Sequence, residues 1–417
     1  MMMNDVPLSQ AGPRPRILLL SPFLYGAKAS HGGAVLCWAQ LKQLATFCDL
    51  SFLGYSGTDD AQAEATHLAS LSAVCRPVRH VRLRIHKGMV LKARLNALRL
   101  AAPEVASLCD TPAMRRALAE SIAEFRPDAV WIQFPQMAQF VTSCGDVPCI
   151  MDVQDAYTLS GFRQAQRHRG LRSVRAWLDW VCWARYEARL YPRFGAVLTL
   201  SEQDAQVLGA MNPATPARCT GLPLGSAAVP TARAEPMRAG FAGSFGHRPN
   251  VDGLAWFLTE VWPRVRARHP EARFVVAGRN PPESLVAHGG PGVEFVGFVP
   301  DILDFYAANT VTVVPLVTGG GVKIKTVEAM LAGSAVVATR IGVEGMGVLP
   351  GLHALVEDEP AAFAAALGRA LSETPLAASL REAGLRHAQA LFSADSWQQR
   401  MRTLLEGVRL EPQQQVA

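Results

Sequence analysis

Residues 310–344 read TVTVVPLVTGGGVKIKTVEAMLAGSAVVATRIGVE, and this stretch decides the fold class. The β-branched run at 311–316 predicts a buried strand, and residues 334–339 predict a second one. Between them, three glycines lead into residues 322–331, where apolar residues recur at helical spacing. Strand, glycine turn, helix and strand form a βαβ crossover, so we expect this part of the chain to belong to a parallel α/β sheet.

The glycine turn is also a candidate ligand site. A turn at the start of a helix offers free N–H groups and the positive end of the helix dipole, which suit a phosphate. Gly321, Lys325 and Glu328 follow the i, i+4, i+7 spacing of one helix face, and a carboxylate beyond a phosphate site suits a ribose diol. The stretch therefore predicts nucleotide binding, although a structural turn followed by a solvated glutamate is the simpler interpretation. The candidate nucleotide-binding residues are Gly320, Gly321, Val322, Lys323, Lys325 and Glu328.

A longer motif in the same stretch resembles a known family. Residues 327–339, VEAMLAGSAVVAT, resemble the end of the donor site in glycosyltransferase family 4, a large group of retaining enzymes with the GT-B fold. Weaker similarities follow in the family's order, at Gly32-Gly33, at LTLSEQ (198–203), at GSFGHRPNVDGLAWF (243–257) and at VEFVGFV (293–299). The resemblance covers nearly the whole chain. It implies two doubly wound, Rossmann-like α/β domains that face each other across a cleft.

The resemblance also implies roles for residues outside the glycine turn. Gly32 and Gly33 would approach the donor diphosphate through their backbone. Asp155 would contact the sugar on the catalytic side. The further candidate donor-binding residues are Gly243, Arg248 and Asn250. The family usually carries an arginine and a lysine here, and this chain has His247, Arg248 and Asn250 in their place. Each position has a structural interpretation as well. The glycines could form plain turns, and Arg248 could be a surface arginine. Asn250 could be a helix N-cap, and Asp155 could serve in a turn or as a cap.

The activity implied by the resemblance is sugar transfer from a nucleotide diphosphate sugar, with retention of configuration, in the synthesis of bacterial cell-surface polysaccharide or glycoconjugate. The acceptor would be a hydroxyl group of a saccharide, a lipid-linked saccharide or a small molecule. In such enzymes the leaving diphosphate can assist the incoming hydroxyl on the same face, so positioning and charge stabilisation dominate. The sequence has no Asp-x-Asp motif. We therefore expect no metal and no cofactor besides the nucleotide sugar, which is a co-substrate.

Two further positions depart from the family's pattern. Gly320 stands eight residues before Glu328, where many members carry a second glutamate associated with the transferred sugar. Gln154 stands before Asp155, where many members carry a histidine. These departures keep two alternatives open. One is a non-catalytic protein that binds a nucleotide sugar, and the other is a GT-B sugar-nucleotide epimerase or phosphorylase.

The length of 417 residues and the distribution of predicted strands indicate two domains. Residues 223–237 are rich in Gly, Ala and Pro and predict a linker. Residues 1–222 then form the predicted acceptor-binding domain, completed by a C-terminal helix at about 396–417. Residues 238–395 form the predicted domain for the nucleotide sugar.

The positive charge is concentrated in the first half of the chain. Residues 1–235 contain 25 Lys and Arg against 18 Asp and Glu, whereas residues 236–417 contain 16 against 17. A solvated basic face is the simpler interpretation, and the alternative is contact with anionic membrane lipid or with a phosphorylated acceptor. We expect no nucleic-acid partner, because no basic motif with interleaved aromatic residues is present.

The location is predicted from what the sequence lacks. The 8 cysteines have no metal-like spacing, and neither a signal peptide nor an apolar run of about 20 residues is evident. The predicted location is therefore the cytoplasm, either free or peripheral at the inner face of the membrane.

Overall fold

The computed structural model describes residues 13–27, 32–57, 60–167, 170–224, 232–319 and 322–410. The chain divides into two compact units. The first comprises residues 1–199, 204–220 and 398–417, and the second comprises residues 200–203 and 221–397. Each unit contains one parallel sheet with helices between the strands, so the predicted pair of Rossmann-like α/β domains is confirmed.

The first unit is built on a seven-stranded sheet with the order β3-β2-β1-β4-β5-β6-β7. Its strands are β1 (Arg16–Ser21), β2 (Asp49–Ser56), β3 (Val78–Arg82), β4 (Ala129–Gln133), β5 (Cys149–Asp152), β6 (Ala196–Thr199) and β7 (Ala217–Cys219). Residues 17–20 of the central strand are fully buried. Such a continuous apolar run is typical of a parallel strand, because helices cover both faces of the sheet.

The helices that go with this sheet begin and end at recognisable residues. Thr111, for example, caps α5 by accepting a hydrogen bond from Met114 N at 3.2 Å, and Pro112 occupies the first turn. The helices are α1 (Gly32–Leu44), α2 (Ala61–Ser72), α3 (Lys87–Leu98), α4 (Glu104–Cys109), α5 (Pro112–Phe125), α6 (Tyr157–Arg167), α7 (Leu171–Leu190) and α8 (Glu202–Met211).

The second unit is built on a six-stranded sheet with the order β10-β9-β8-β11-β12-β13. Its strands are β8 (Glu235–Ala242), β9 (Arg273–Ala277), β10 (Val293–Gly297), β11 (Asn309–Val314), β12 (Ala335–Ala338) and β13 (Leu355–Val356). The chain builds outward from β8 through β9 to β10, and then returns to place β11 on the other side of β8. Connections leave in opposite directions at such a reversal, which opens a crevice at the carboxyl ends of the strands.

The helices of the second unit are α9 (Arg248–Trp256), α10 (Trp262–Arg268), α11 (Glu283–Val286), α12 (Ile302–Ala307), α13 (Ile324–Leu331), α14 (Pro360–Ser372) and α15 (Thr374–Phe392). A π-helical turn, Phe257–Val261, joins α9 to α10. Gly333 follows α13 with a φ of 72° and donates to Met330 O, which ends this helix. The predicted βαβ crossover is therefore present as β11, α13 and β12.

The last helix, α16 (Ala394–Leu410), runs from the second unit into the first. Within the first unit, Gln398 Nε2 donates to Gln43 Oε1 at 2.6 Å, and the Arg400 guanidinium donates to Thr220 O. Residues 225–231 of the predicted linker lie outside the described residues. Strand β8 begins inside the predicted linker, at Glu235, because this residue pairs in register with Asn309 of β11. None of the helices in the described ranges is long and apolar enough to cross a membrane.

Candidate active site

A cavity of about 500 Å³ lies in the second unit, at the carboxyl ends of β8, β9 and β10. Its walls come from the residues that follow these strands, from α12 and from one face of α13. The cavity therefore occupies the crevice that the reversal of strand order creates. Its volume falls in the range of ligand-binding pockets.

Two glycines shape the floor of this cavity. A Cβ atom at Gly278 would lie 2.3 Å from Gly243 O, so no larger residue fits there while the two strand ends keep their positions. A Cβ atom at Gly243 would lie 3.0 Å from both Lys325 Nζ and Asn250 Nδ2. The glycines therefore let the ends of β8 and β9 meet and leave room for the polar groups above them.

The Lys325 ammonium group is held by a hydrogen bond and by an aromatic ring. Its Nζ donates to Asn250 Oδ1 at 2.7 Å, and the amide of Asn250 in turn donates to Ser244 O at 2.8 Å. The same Nζ lies 4.2 Å from the centroid of the Phe241 ring, a cation–π contact. Burial lowers the pKa of Lys325 to about 7, against the opposing effect of the Glu328 charge. An anionic ligand beside this group would favour its charged form.

The structure corrects the interpretation of Asn250 as a helix cap. Helix α9 begins two residues earlier, at Arg248, with His247 as its N-cap. The reason is Pro249, whose fixed φ suits the first turn of a helix. Asn250 consequently lies inside the first turn, where its side chain holds Lys325.

Glu328 lies one turn after Lys325 on α13, and both side chains line the cavity. Burial raises the pKa of Glu328 to about 7, and the charge of Lys325 lowers it in part. Tyr306 lines the same wall, and burial together with the Glu328 charge raises its pKa. A carboxylate in this position is partly shielded from solvent, unlike the solvated glutamate of the simpler interpretation.

The other predicted residues of the second unit have different surroundings. Lys323 is the N-cap residue of α13, and its Nζ lies 3.8 Å from the carboxylate of Glu344. Val322 precedes it, and Gly320 and Gly321 lie outside the described residues. Arg248 is 83% exposed and pairs with Asp252 one turn later at 2.8 Å. Of the predicted residues, the cavity wall thus brings together Gly243, Asn250, Lys325 and Glu328.

The predicted residues of the first unit lie at the carboxyl edge of its sheet. Gly32 and Gly33 open α1, the helix that follows β1. Asp155 lies in the bend after β5, where its N–H donates to Val153 O at 2.7 Å. In a parallel sheet the ends of β1 and β5 share one edge, and this edge is where such sheets bind ligands.

A buried polar network lies directly before Asp155. Asp152 Oδ2 accepts hydrogen bonds from Trp131 Nε1 at 3.2 Å and from Gln154 Nε2 at 2.9 Å. The same Gln154 amide donates to Gln40 Oε1 at 3.1 Å, and Gln154 itself has a φ of 62°. Burial raises the pKa of Asp152 to about 6, and the hydrogen bonds lower it in part. Gln154 therefore links β5 to α1 and fixes the backbone that leads into Asp155.

Models of two glycosyltransferase families match this chain. The model described as "Glycosyl transferase 4-like domain" matches residues 46–225, and "Glycosyl transferases group 1" matches residues 236–373. The two matched segments belong to glycosyltransferase families. A protein of Klebsiella pneumoniae described as "Uncharacterized 44.6 kDa protein in cps region" is 27% identical over 133 residues. The match covers 30% of this chain and 34% of that protein, so it spans only part of the relative's length.

Several solved GT-B structures share the fold of this chain. Sucrose-phosphate synthase from Thermosynechococcus elongatus is 18% identical, with a TM-score of 0.66 over 94% of this chain and 98% of that chain. Anabaena HepE in complex with UDP-glucose is 15% identical, with a TM-score of 0.61 over 94% and 99%. TarM is 9% identical, with a TM-score of 0.63 over 95% and 99%. At these identities the similarity shows the fold alone.

The sequence patterns do not predict one part of the cavity rim. The Arg279 guanidinium lies 4.0 Å from the centroid of the Phe298 ring, and this ring is 58% exposed. Arg279 follows β9 and Phe298 follows β10. The usable signal was an arginine and an aromatic residue directly after two predicted strands, since residues in that position reach the ligand edge of a parallel sheet. Among the described residues, no cluster of three or more His, Cys, Asp or Glu side chains is placed to hold a metal ion.

Proposed function

We propose that this protein transfers a sugar from a nucleotide diphosphate sugar to a hydroxyl acceptor, with retention of the anomeric configuration. The observation that carries the proposal is the Lys325–Glu328 pair in the cavity wall, with Asn250 holding the ammonium group. A cation beside a carboxylate offers partners for a diphosphate and for the adjoining ribose diol at once. HepE, which shares the fold, was solved with UDP-glucose, and this supports a nucleotide sugar as the ligand.

The donor is expected to lie with its diphosphate toward Lys325 and the N-terminus of α13. Helix N–H groups and an ammonium group both stabilise negative charge that grows on the leaving diphosphate. Glu328 then accepts hydrogen bonds from the ribose hydroxyls. The Arg279–Phe298 pair at the rim offers a flat surface for the nucleobase. The diphosphate is also expected to contact the residues at the start of α13, namely Lys323, Val322, Gly320 and Gly321. Arg248 adds a cation at the edge of the site.

The acceptor side of the proposal rests on the first unit. Asp155 contacts the transferred sugar, and Gly32 and Gly33 approach the diphosphate through their backbone. The acceptor is a saccharide, a lipid-linked saccharide or a small molecule with a hydroxyl group. The printed description of the Klebsiella pneumoniae relative, "in cps region", supports a role in cell-surface polysaccharide synthesis. The reaction needs no metal, because protein cations and helix N–H groups serve the diphosphate.

A non-catalytic protein that binds nucleotide sugars is the second candidate. The observation in its favour is Gln154, which stands where many family members carry histidine and which is held in the buried network by Asp152 and Gln40. A side chain fixed in this way positions backbone and is not placed to act on a sugar. Binding without turnover would distinguish this candidate from the transferase.

The experiment is a screen of purified protein against UDP-, GDP- and ADP-sugars. One donor at about 100 times its Kd should stabilise the folded protein by about 2.7 kcal/mol, seen as a rise in Tm. That donor should then release its nucleoside diphosphate in the presence of a hydroxyl acceptor, and proton NMR should show the retained anomeric configuration. Binding without release of the nucleotide would favour the second candidate. Stabilisation by no nucleotide sugar would overturn both.

A further inference from the structure

Helix α3 of the first unit turns a stripe of leucines outward. Leu91 is 62% exposed, Leu95 is 43% exposed and Leu98 is 72% exposed. Their spacing of i, i+4 and i+7 places them on one face of the helix. Ala93, on the opposite side, is fully buried. The helix therefore has a core-facing side and, in addition, an apolar side that faces away from the core.

Basic residues flank this stripe on both sides. At about 100° per residue, Lys87 and Arg94 lie to one side of the leucines, and Lys92 and Arg99 lie to the other. All four side chains are exposed. The sequence contains no acidic residue between Glu64 and Glu104. The exposed face of α3 is thus apolar along its centre, and the charged residues of α3 on either side of the leucines are all cationic.

Helix α7 adds to the same region. Glu104 lies 3.7 Å from Arg94 of α3 and 4.0 Å from Arg175 of α7, so one carboxylate connects the basic residues of the two helices. Val174 and Leu178, on either side of Arg175, are 58% and 46% exposed. Asp179 is the other acid beside Arg175, and burial raises its pKa. The basic residues of α3 and α7, which are far apart in sequence, are therefore neighbours in the first unit.

We propose that this face docks on the surface of a lipid bilayer that contains anionic lipids. The basic leucine face consists of Leu91, Leu95, Leu98, Val174 and Leu178 with Lys87, Lys92, Arg94, Arg99 and Arg175. Leucines inserted to the acyl boundary remove apolar area from water, while the long cationic side chains reach the headgroups. The charge selects this occupant, because the five cationic side chains outnumber the two neighbouring carboxylates, Glu104 and Asp179, and a net positive face matches an anionic surface. The inference rests on this face alone and does not depend on the proposed function.

Flotation of the full-length protein with lipid vesicles tests the proposal. The protein should float with phosphatidylcholine vesicles that contain about 30 mol% phosphatidylglycerol and should stay behind with phosphatidylcholine alone. Raising the salt from about 0.05 M to about 0.5 M should weaken the binding, because the Debye length shrinks.

Two sets of substitutions separate the apolar and the cationic parts. Leu91→Gln, Leu95→Gln and Leu98→Gln together should reduce the partition coefficient by about 30- to 100-fold. The matched control is Leu349→Gln with Leu352→Gln, which are 56% and 49% exposed in the second unit and should change nothing. Lys87→Gln, Lys92→Gln and Arg99→Gln together should weaken binding by about fivefold per charge and should reduce its salt dependence. Arg264→Gln with Arg268→Gln, both exposed in the second unit, is the control for charge.

The proposal fails if wild type does not float with anionic vesicles at low salt, or floats equally with neutral ones. It also fails if the leucine variant, with an unchanged Tm, floats as well as wild type. A wild-type dimer in sedimentation that the leucine substitutions dissociate, while flotation is unchanged, would assign the face to a second copy of the chain. If the leucine variant does not fold, the Lys87, Lys92 and Arg99 variant decides the outcome.

Discussion

The cavity of the second unit and the buried polar network of the first both lie at the carboxyl edge of a parallel sheet, and they hold their carboxyl groups differently. In the cavity, Glu328 lies near a cation, Lys325, on a wall that a ligand can reach. In the network, Asp152 is fully enclosed and receives hydrogen bonds from the neutral groups of Trp131 and Gln154. The difference separates a carboxylate available to a ligand from one whose partners are already supplied by the protein.

Replacing the cation should have the largest effect on the cavity. Lys325→Met removes the group that we place against the leaving diphosphate, and we expect kcat/KM to fall about 100- to 1,000-fold with the donor that stabilises the protein best. Steady-state kinetics checks this, with the exposed Lys42→Met of the first unit as the control. A fall no greater than that of the control would show that Lys325 does not act in the reaction. The proposed functional difference between the cavity and the network would then have no support.

The buried polar network should make the free energy of unfolding depend on pH. Folding raises the pKa of Asp152 from 3.8 to about 6, so the folded state binds this proton more tightly than the unfolded state does. The stabilising contribution of Asp152 to the free energy of unfolding is therefore fully present below pH 3.8 and is lost as the pH rises through about 6. Asp152→Asn should remove this dependence, which is on the order of 3 kcal/mol.

The measurement for Asp152 is denaturant unfolding of wild type and variant across this pH range. Asp146→Asn, at an exposed aspartate of the same unit, is the control and should keep the wild-type profile. Parallel profiles for wild type and Asp152→Asn would mean that the carboxyl group is not enclosed as described. Asp152 could then no longer serve as the enclosed carboxyl group with which Glu328 is compared.

Glu328→Gln should have a smaller effect, on ligand binding. The substitution weakens charged hydrogen bonds to the ribose diol that are worth about 1.5–3 kcal/mol, which corresponds to roughly 10- to 100-fold in donor affinity. Titration of UDP, GDP and ADP against both proteins measures it. Glu260→Gln, at a half-exposed glutamate of the same unit, should leave the affinity unchanged. An unaltered affinity for the preferred nucleotide in Glu328→Gln would argue that this carboxylate is no more engaged than Glu260.

The smallest expected effect is that of a chelator. Since Lys325 and the start of α13 are proposed to serve the diphosphate, turnover should continue in excess EDTA. Initial rates with and without the chelator check this. A complete loss that Mg²⁺ or Mn²⁺ restores would show that the cationic groups of the cavity are insufficient.

The two regions also differ in how far the sequence predicts them. The pattern at 311–339 predicts β11, α13 and β12, because helix spacing, glycine positions and buried strands are local properties. The same spacing predicts that Lys325 and Glu328 share a face, and both line the cavity. The interpretation of Asn250 as a cap is wrong, because Pro249 favours a helix start at Arg248, two residues earlier.

The network could not be predicted in the same way. Gln154 was visible in the sequence only as a departure from a family pattern. Its partner Gln40 is 114 residues away, and Trp131 reaches Asp152 across 21 residues. Only the pairing of β4 with β5 and the packing of α1 bring these groups together, and no local pattern encodes that. The contact between Arg279 and Phe298 depends in the same way on β9 and β10 being neighbours.

The contact between Gly278 and Gly243 has a consequence for changing ligand preference. A single methyl group at position 278 would lie 2.3 Å from a backbone oxygen, so substitution there would force the ends of β8 and β9 apart. Arg279 and Phe298, by contrast, are exposed at the rim and are free of that constraint. On the proposal that the rim contacts the nucleobase, substitutions that change nucleotide preference should therefore accumulate at the rim, while the glycine floor stays the same in every descendant that keeps this cavity.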